Sequence, residues 1–276
     1  MTDDRTPTEV VREVLQGGVA NAGAVVRLGD EVHRPANVCS ATIHALLRHV
    51  RSRGFHGASD PLRVDGDREV LVFVPGDVPI PPYPAWAQTD RALASTARLI
   101  RGLHDASIGF ADLGARWSDE LNDPRPGDDP VVCHNDVCPE NVVFRDGEAA
   151  ALLDFDFAAP GRRTYDLACF ARMCVPVDGD DDAAGLGWSP ADRPRRTRLV
   201  ADAYGCGAGQ RAEMLECLDE TIERGGEFVQ RHVDAGEPGF VEMWEQMGGM
   251  ARFDRRRAWW AGARPGFAHA LRRPAD

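Results

Sequence analysis

Alternating apolar and polar residues predict that the first 76 residues form a small antiparallel sheet with one helix. Residues 1–16 predict a short helix, because valine and leucine recur there at helical spacing. Between Gln16 and Pro35, a glycine turn and a Gly-Asp turn separate three segments that predict strands. Two more strands are predicted around Asp65-Gly66. The helix that precedes them carries one apolar stripe, formed by Ile43, Leu46, Leu47 and Val50.

Prolines between residues 75 and 84 interrupt this pattern and predict a hinge. Beyond it the pattern becomes mainly helical, and one face of the next helix carries Leu93, Ala97, Ile100 and Leu103. Short apolar runs predict β segments around a loop at residues 130–133, 142–144 and 151–155. The chain is therefore predicted to be α+β and bilobal, with lobes at 1–76 and 77–276 and a ligand cleft between them.

Composition narrows the classes of function. The 276 residues carry a net charge of −12, which argues against nonspecific nucleic-acid binding, because that binding needs clustered cations. All 32 basic residues are arginine, and the absence of lysine excludes a P-loop and Schiff-base chemistry. Seven cysteines without Cys-x-x-Cys spacing predict free thiols. The short apolar runs and the acidic start predict neither a membrane span nor a signal peptide, and hence a cytoplasmic protein.

One segment carries a pattern typical of phosphoryl transfer. His134, Asp136 and Asn141 follow an apolar run, and Asp154 lies at the end of another. Transfer of phosphate from a nucleotide needs one carboxylate to orient and deprotonate the attacking hydroxyl. It also needs oxygen ligands for Mg²⁺, which an asparagine and a second aspartate can supply. A strand–loop–strand arrangement would bring Asp136, Asn141 and Asp154 to one edge.

This segment resembles the catalytic and metal-binding motifs of the aminoglycoside phosphotransferase and choline kinase family, relatives of the protein kinases. The similarity continues to Tyr165-Asp166-Leu167-Ala168, and Leu103-His104-Asp105 resembles the end of the family helix before the catalytic segment. Gly17–Asn21 resembles the phosphate-covering loop, and Val72–Gly76 resembles the hinge. The resemblance covers about residues 12–205 and implies a protein-kinase-like fold.

The resemblance implies a role for each matching residue of the motif. Asp136 would be the catalytic base, and His134 would brace the loop. Asn141 and Asp154 would hold Mg²⁺. Asp156 would be either a second metal ligand or a solvated or capping carboxylate.

The remaining implied contacts concern the nucleotide and the backbone of the catalytic loop. ATP or GTP would lie under the loop that carries Gly18 and Asn21. At the hinge, the backbone near Phe73 and Val74 would recognise the base. Asp166 would hydrogen-bond backbone groups near the catalytic loop.

The sequence departs from the family at the cation that binds the phosphates. The family's third strand presents a lysine or arginine there, paired with a glutamate on the following helix. Here the strand ends in His33-Arg34-Pro35, and alternation leaves open whether His33 or Arg34 faces the cleft. No acidic residue lies between Val38 and Ser59, so the carboxylate half of the pair is predicted to be missing.

These features predict a Mg²⁺-dependent kinase that transfers the γ-phosphate of ATP or GTP to a hydroxyl of an antibiotic or related natural product. Choline, a sugar or an amino alcohol are alternative acceptors. The run Asp178–Asp182 either contacts a polycationic acceptor or is a solvated acidic loop. The missing lysine and glutamate favour a second hypothesis, a binding or immunity protein that sequesters its ligand without turnover. A metal phosphohydrolase would leave the hinge and the first lobe without a role.

Overall fold

The computed structural model describes residues 12–15, 23–110 and 114–273. The predicted phosphate-covering loop, with Gly18 and Asn21, lies outside the described residues, as do residues 1–11. The prediction of a helix over residues 1–16 is wrong for residues 12–14, which form a strand paired with residues 26–28. The reason is tertiary, because the neighbouring strand offers this segment a ladder of backbone hydrogen bonds that local spacing does not reveal.

The first part of the described chain forms a five-stranded antiparallel sheet with one helix against it. Its elements are β1 (Arg12–Val14), β2 (Val26–Leu28), β3 (Glu31–Pro35), α1 (Ser40–Ser52), β4 (Pro61–Asp65) and β5 (Arg68–Val72). The strands lie in the order β1-β2-β3-β5-β4. Two-residue turns join β2 to β3 and β4 to β5, and each contains a glycine with positive φ, Gly29 at 61° and Gly66 at 60°.

The rest of the described chain is mainly helical and contains two small sheets. Its elements are α2 (Asp90–Ser107), β6 (Val131–Cys133), β7 (Val142–Arg145), β8 (Glu148–Leu152), β9 (Ala159–Gly161), α3 (Arg163–Cys174), α4 (Asp180–Gly185), α5 (Arg193–Tyr204), α6 (Ala208–Asp234), α7 (Pro238–Met247) and α8 (Gly249–Arg272). β6 pairs with β9, and β7 pairs with β8. The predicted α+β, bilobal architecture is confirmed, whereas the boundary at residue 76 stays a prediction.

Helix α2 lies at the centre of the larger part, against α5 and β8. The predicted stripe is buried, since Leu93 is 4% exposed and Ala97, Ile100 and Leu103 are fully buried. Burying one leucine or isoleucine side chain stabilises the fold by about 1.5–3 kcal/mol. The helix begins where the Thr89 hydroxyl oxygen accepts the N–H of Ala92. Sequence spacing and capping therefore place this helix correctly.

Two further findings concern predicted properties of the chain. All seven cysteines are free, as predicted, and all but Cys138 are buried. Among the described residues, no helix is both long and apolar enough to span a bilayer.

Gly76 lies where the chain leaves the five-stranded sheet. Its φ is 149°, and a Cβ there would lie 2.5 Å from Cγ1 of Val143 and 2.6 Å from the carbonyl oxygen of Phe144. The next residue, Asp77, exchanges two backbone hydrogen bonds with Phe144, of 2.9 and 2.8 Å. The predicted hinge segment therefore touches β7 directly, and only glycine fits at the point of contact.

Replacing Gly76 with alanine is expected to lower the free energy of unfolding by about 2 kcal/mol or more, because the methyl group forces the hinge away from β7. Denaturant unfolding measures this loss. Gly147→Ala is the matched control, since Gly147 also has a positive φ, of 75°, but faces open space. Equal losses in the two variants would mean that backbone strain alone, and not contact with β7, explains the effect.

Candidate active site

Asp166, in the first turn of α3, fixes the loop between β6 and β7 through hydrogen bonds to its backbone. The fully buried Asp166 carboxylate accepts the backbone N–H groups of His134 at 2.9 Å and Asn135 at 2.7 Å. Asn135 adopts a φ of 65°, a conformation that asparagine tolerates better than most residues. The predicted hydrogen bonds from Asp166 to the loop backbone are confirmed.

His134 joins this loop to the segment that carries Asp154. Its Nε2 donates to the carbonyl oxygen of Leu153 at 2.8 Å, and its Nδ1 accepts the backbone N–H of Asp136 at 3.3 Å. Burial lowers the pKa of His134, which suits a neutral ring with one donor and one acceptor nitrogen. His134 thus lies in a position to brace the loop, the role that the family resemblance implies.

Asp136 and Asn141 form one hydrogen-bonded unit. Nδ2 of Asn141 donates to the carbonyl oxygen of Asp136 at 2.9 Å and to its Oδ2 at 3.0 Å. Within the described residues, the amide oxygen of Asn141 accepts no hydrogen bond, so it remains available to a cation. Burial and the charge of Asp154 raise the pKa of Asp136 to about 7.

Asp154 follows β8 with a φ of 59° and lines the same cleft as Asn141. One carboxylate and one amide oxygen at the edge of the cleft are ligands of the kind that Mg²⁺ prefers. The residues present therefore fit the cation that the sequence predicts.

Arg34, and not His33, faces the cleft from β3. Val32 and Arg34 lie on the cleft side of the strand, whereas His33 lies on the opposite face and contacts Glu31 at 3.0 Å. This agrees with the alternation of side chains along a strand. The structure thus contradicts the prediction of His33 as a nucleotide-binding residue.

The Arg34 guanidinium contacts three carboxylates. Its Nη1 donates to Oδ1 of Asp154 at 3.0 Å, and its Nη2 donates to Asp156. Its Nε lies 3.1 Å from Oε1 of Glu69. Burial and the charge of Asp154 raise the pKa of Asp156 to about 6. Asp156 is therefore not a solvated carboxylate, because it is paired with Arg34, and its role as a second metal ligand stays a prediction.

The prediction that Arg34 lacks a carboxylate partner is wrong. The partner is Glu69 on β5, directly opposite Arg34 in the register of the two strands, and both side chains are buried. Helix α1 contributes His44, whose Nε2 lies 3.0 Å from Oε2 of Glu69. Neither residue was predicted to belong to the site. The available signal was Glu69 itself, an acid at the start of the apolar run 70–74.

A cleft of about 340 Å³ lies between the sheet and the side chains of Asn141 and Asp154. Phe73 and Val74, the residues predicted at the hinge, both line it. Leu71 lines the same wall, and Val143 and Leu152 line the opposite one. Apolar side chains on both sides of a cleft can enclose a flat base. The volume and its lining suit the base of a nucleotide.

Three of the four aspartates in the acidic run Asp178–Asp182 form ion pairs with arginines of the protein. The buried Asp178 pairs with Arg252 at 2.7 Å and with Arg256 at 2.6 Å. Two more pairs, each of 2.7 Å, join Asp180 to Arg193 and Asp182 to Arg255. Asp178 is therefore neither part of a solvated loop nor free to bind a cationic acceptor.

Comparison with known proteins gives the family. The profile of the phosphotransferase enzyme family (APH) matches residues 109–200, which include the catalytic loop and Asp154. The trifolitoxin immunity protein of Rhizobium leguminosarum bv. trifolii is 31% identical over 200 residues, covering 70% of this chain and 75% of that protein. The homoserine kinase of Phenylobacterium zucineum is 36% identical over 98 residues, covering 34% of this chain and 28% of that enzyme.

A solved structure shares the fold over almost the whole chain. A choline/ethanolamine kinase family protein from Mesorhizobium loti superposes with a TM-score of 0.64 at 16% identity, covering 96% of this chain and 93% of that one. The predicted kinase-like fold and the predicted phosphotransferase with a hydroxyl acceptor are confirmed. The chain belongs to the phosphotransferase enzyme family.

Proposed function

We propose that this kinase transfers the γ-phosphate of ATP or GTP to a hydroxyl of an antibiotic or related natural product, with Mg²⁺ as cofactor. One observation supports this above all: Asn141, which is hydrogen-bonded to Asp136, and Asp154 line a cleft of nucleotide size. The resemblance to an immunity protein supports a protective role, since that relative is named for immunity to a toxin.

The roles follow from the geometry and the chemistry. Asp136 accepts the proton of the acceptor hydroxyl, whose oxygen forms a bond to the γ-phosphorus while the bond to the β–γ bridging oxygen breaks. Asn141 and Asp154 would hold Mg²⁺, which neutralises phosphate charge when it is bound. His134 fixes the backbone of Asp136 relative to the carbonyl group of Leu153, because it hydrogen-bonds to both.

Arg34 is proposed to bind the nucleotide phosphates in place of lysine. Its planar guanidinium can bind phosphate oxygens in pairs. The ion pair with Glu69 would fix its position while its Nη atoms exchange Asp154 and Asp156 for the phosphates. Phe73 and Val74 would contact the base, and the loop with Gly18 and Asn21 would cover the phosphates.

A thermal-shift titration with ATP and with GTP, each with and without Mg²⁺, tests this proposal. Nucleotide at 100 times its dissociation constant adds about 2.7 kcal/mol of stability, which raises the melting midpoint by roughly 5 to 10 °C. We expect a Mg²⁺-dependent shift that Asp154→Asn abolishes. Glu148→Gln is the control, because this exposed carboxylate pairs with Arg91 on the surface. The absence of a shift with either nucleotide would contradict the proposal.

A further inference from the structure

His44 is a buried polar residue to which the proposed reaction gives no role. It lies on α1, and its side chain is 2% exposed. Its Nε2 lies 3.0 Å from Oε2 of Glu69, whereas its Nδ1 has no hydrogen-bond partner within the described residues. An ionised carboxylate can only accept, so Nε2 is the donor. The bond to Glu69 is therefore the single hydrogen bond that this ring makes in the described part of the chain.

Glu69 joins His44 to Arg34, the cation proposed to bind the phosphates. Its Oε1 lies 3.1 Å from Nε of Arg34, while its Oε2 accepts the hydrogen bond from His44. Glu69 reaches Arg34 from the neighbouring strand, and His44 reaches Glu69 from the helix. The three side chains are at most 8% exposed. Both contacts are therefore shielded from bulk water, which weakens ion pairs at a surface.

The contact with Glu69 gains importance when a nucleotide binds. The two Nη atoms of Arg34 contact Asp154 and Asp156, and phosphates that bind these atoms replace both carboxylates. Glu69 is then the carboxylate that still orients the guanidinium. An arginine side chain has many rotamers, so a carboxylate in a fixed position is needed to present its donors in one direction.

Helix α1 holds His44 in a fixed position. Leu46 and Val50, on the apolar stripe of this helix, are at most 1% exposed. Close packing of such a stripe leaves the helix little freedom to move. The helix therefore fixes the ring of His44, and the ring in turn fixes the carboxylate of Glu69.

We infer that His44 is a positioning residue for phosphate binding, because it holds Glu69 in the place from which Glu69 orients Arg34. The inference rests on the proposed function and deepens it, since His44 does not line the cleft. His44 acts through two other side chains and touches neither the nucleotide nor the acceptor. Its loss should therefore weaken contacts with the phosphates and spare contacts with the base.

Calorimetric titration with AMP-PNP and with GMP-PNP, each in the presence of Mg²⁺, tests the inference. Adenosine and guanosine are the matching probes without phosphates. His44→Leu removes the donor to Glu69 and is expected to weaken binding of the preferred nucleotide about tenfold, the effect of losing one hydrogen bond to a charged group. Binding of the corresponding nucleoside is expected to change less than twofold. A merely structural role of His44 would weaken both.

His44→Gln is expected to bind the nucleotide within about threefold of wild type, because its amide nitrogen can take the place of Nε2. In an Arg34→Met background, His44→Leu is expected to have less than a twofold effect, since the residue through which it acts is gone. His49→Leu is the matched control, because His49 lies on the same helix but packs its ring against Phe110 at 5.3 Å. If His44→Leu does not fold, His44→Asn carries the test, because its amide ends one bond short of Nε2.

The inference is overturned if His44→Leu keeps the nucleotide affinity of wild type, if it weakens nucleotide and nucleoside equally, or if its effect is the same with and without Arg34. A wild-type protein that binds neither nucleotide overturns both the inference and the proposed function. The two can also fail separately. A protein whose nucleotide affinity depends on His44 as expected, but which transfers no phosphate, supports the inference and contradicts the proposed function. A protein that transfers phosphate and keeps its nucleotide affinity in His44→Leu supports the function and overturns the inference.

Discussion

Asp136→Asn is expected to lower kcat for phosphoryl transfer about 10³-fold, within the range that general-base groups contribute. Asparagine can still accept the hydrogen bond from Nδ2 of Asn141, so the loop keeps its geometry. What the variant loses is the ability to take the proton from the acceptor hydroxyl. Nucleotide affinity is expected to change less than threefold, because Asp154, Arg34 and the cleft walls are unchanged. Single-turnover kinetics and calorimetry measure the two quantities.

This variant also separates a kinase from a protein that protects by sequestering its ligand. In cells challenged with the toxic ligand, Asp136→Asn removes protection if turnover provides it and leaves protection intact if binding alone suffices. Glu148→Gln is the matched control, a carboxylate that is exposed on β8 and expected to leave kcat unchanged. An Asp136→Asn protein that turns over at the wild-type rate would exclude Asp136 as the base.

Asp166→Asn is expected to lower the free energy of unfolding by about 3 kcal/mol and the melting midpoint by roughly 6 to 12 °C. The fully buried carboxylate accepts three N–H groups, from His134, Asn135 and Nε2 of His104. An asparagine NH₂ group would face one of these donors, leaving both without an acceptor. Asp105→Asn is the matched control, because Asp105 pairs with Arg163 at the surface, where an ion pair contributes about 1 kcal/mol or less.

The loss of unfolding free energy in Asp166→Asn is expected to become smaller as the pH falls. Burial alone would raise the pKa of Asp166, but the hydrogen bond and charge of His104, with help from His134, outweigh it and hold the pKa below its usual value. Asp166 therefore binds a proton more readily in the unfolded chain than in the folded protein. This contribution is complete above the unfolded pKa of about 4 and is lost as the pH falls through the folded value. Denaturant unfolding of wild type and Asp166→Asn should therefore give a difference that shrinks below about pH 4. A constant difference would contradict the assignment.

The catalytic loop could be predicted from sequence because its chemistry is local. His134, Asp136 and Asn141 lie within eight residues, and the apolar runs on either side predict the strands that present them. Asp154 follows β8, which pairs with β7, so a short connection brings it back to the same edge. Residue types and their spacing are therefore enough to predict this loop.

The Arg34–Glu69 pair could not be predicted because it depends on strand register. Arg34 and Glu69 are 35 positions apart and become neighbours only when β3 pairs with β5. A search confined to the helix after β3 finds no acid there, although that helix contributes His44 instead. The same limit applies to the choice between His33 and Arg34. Alternation fixes which residues share a face of the strand but not which face lines the cleft.

The backbone hydrogen bonds between Asp77 and Phe144 tie the segment after Gly76 to β7. Asp136 is hydrogen-bonded to Asn141, whereas Arg34 belongs to the sheet and donates to Asp154 across the cleft at 3.0 Å. A displacement of the sheet away from Asp154 would therefore break this ion pair and leave the hydrogen bond between Asp136 and Asn141 intact.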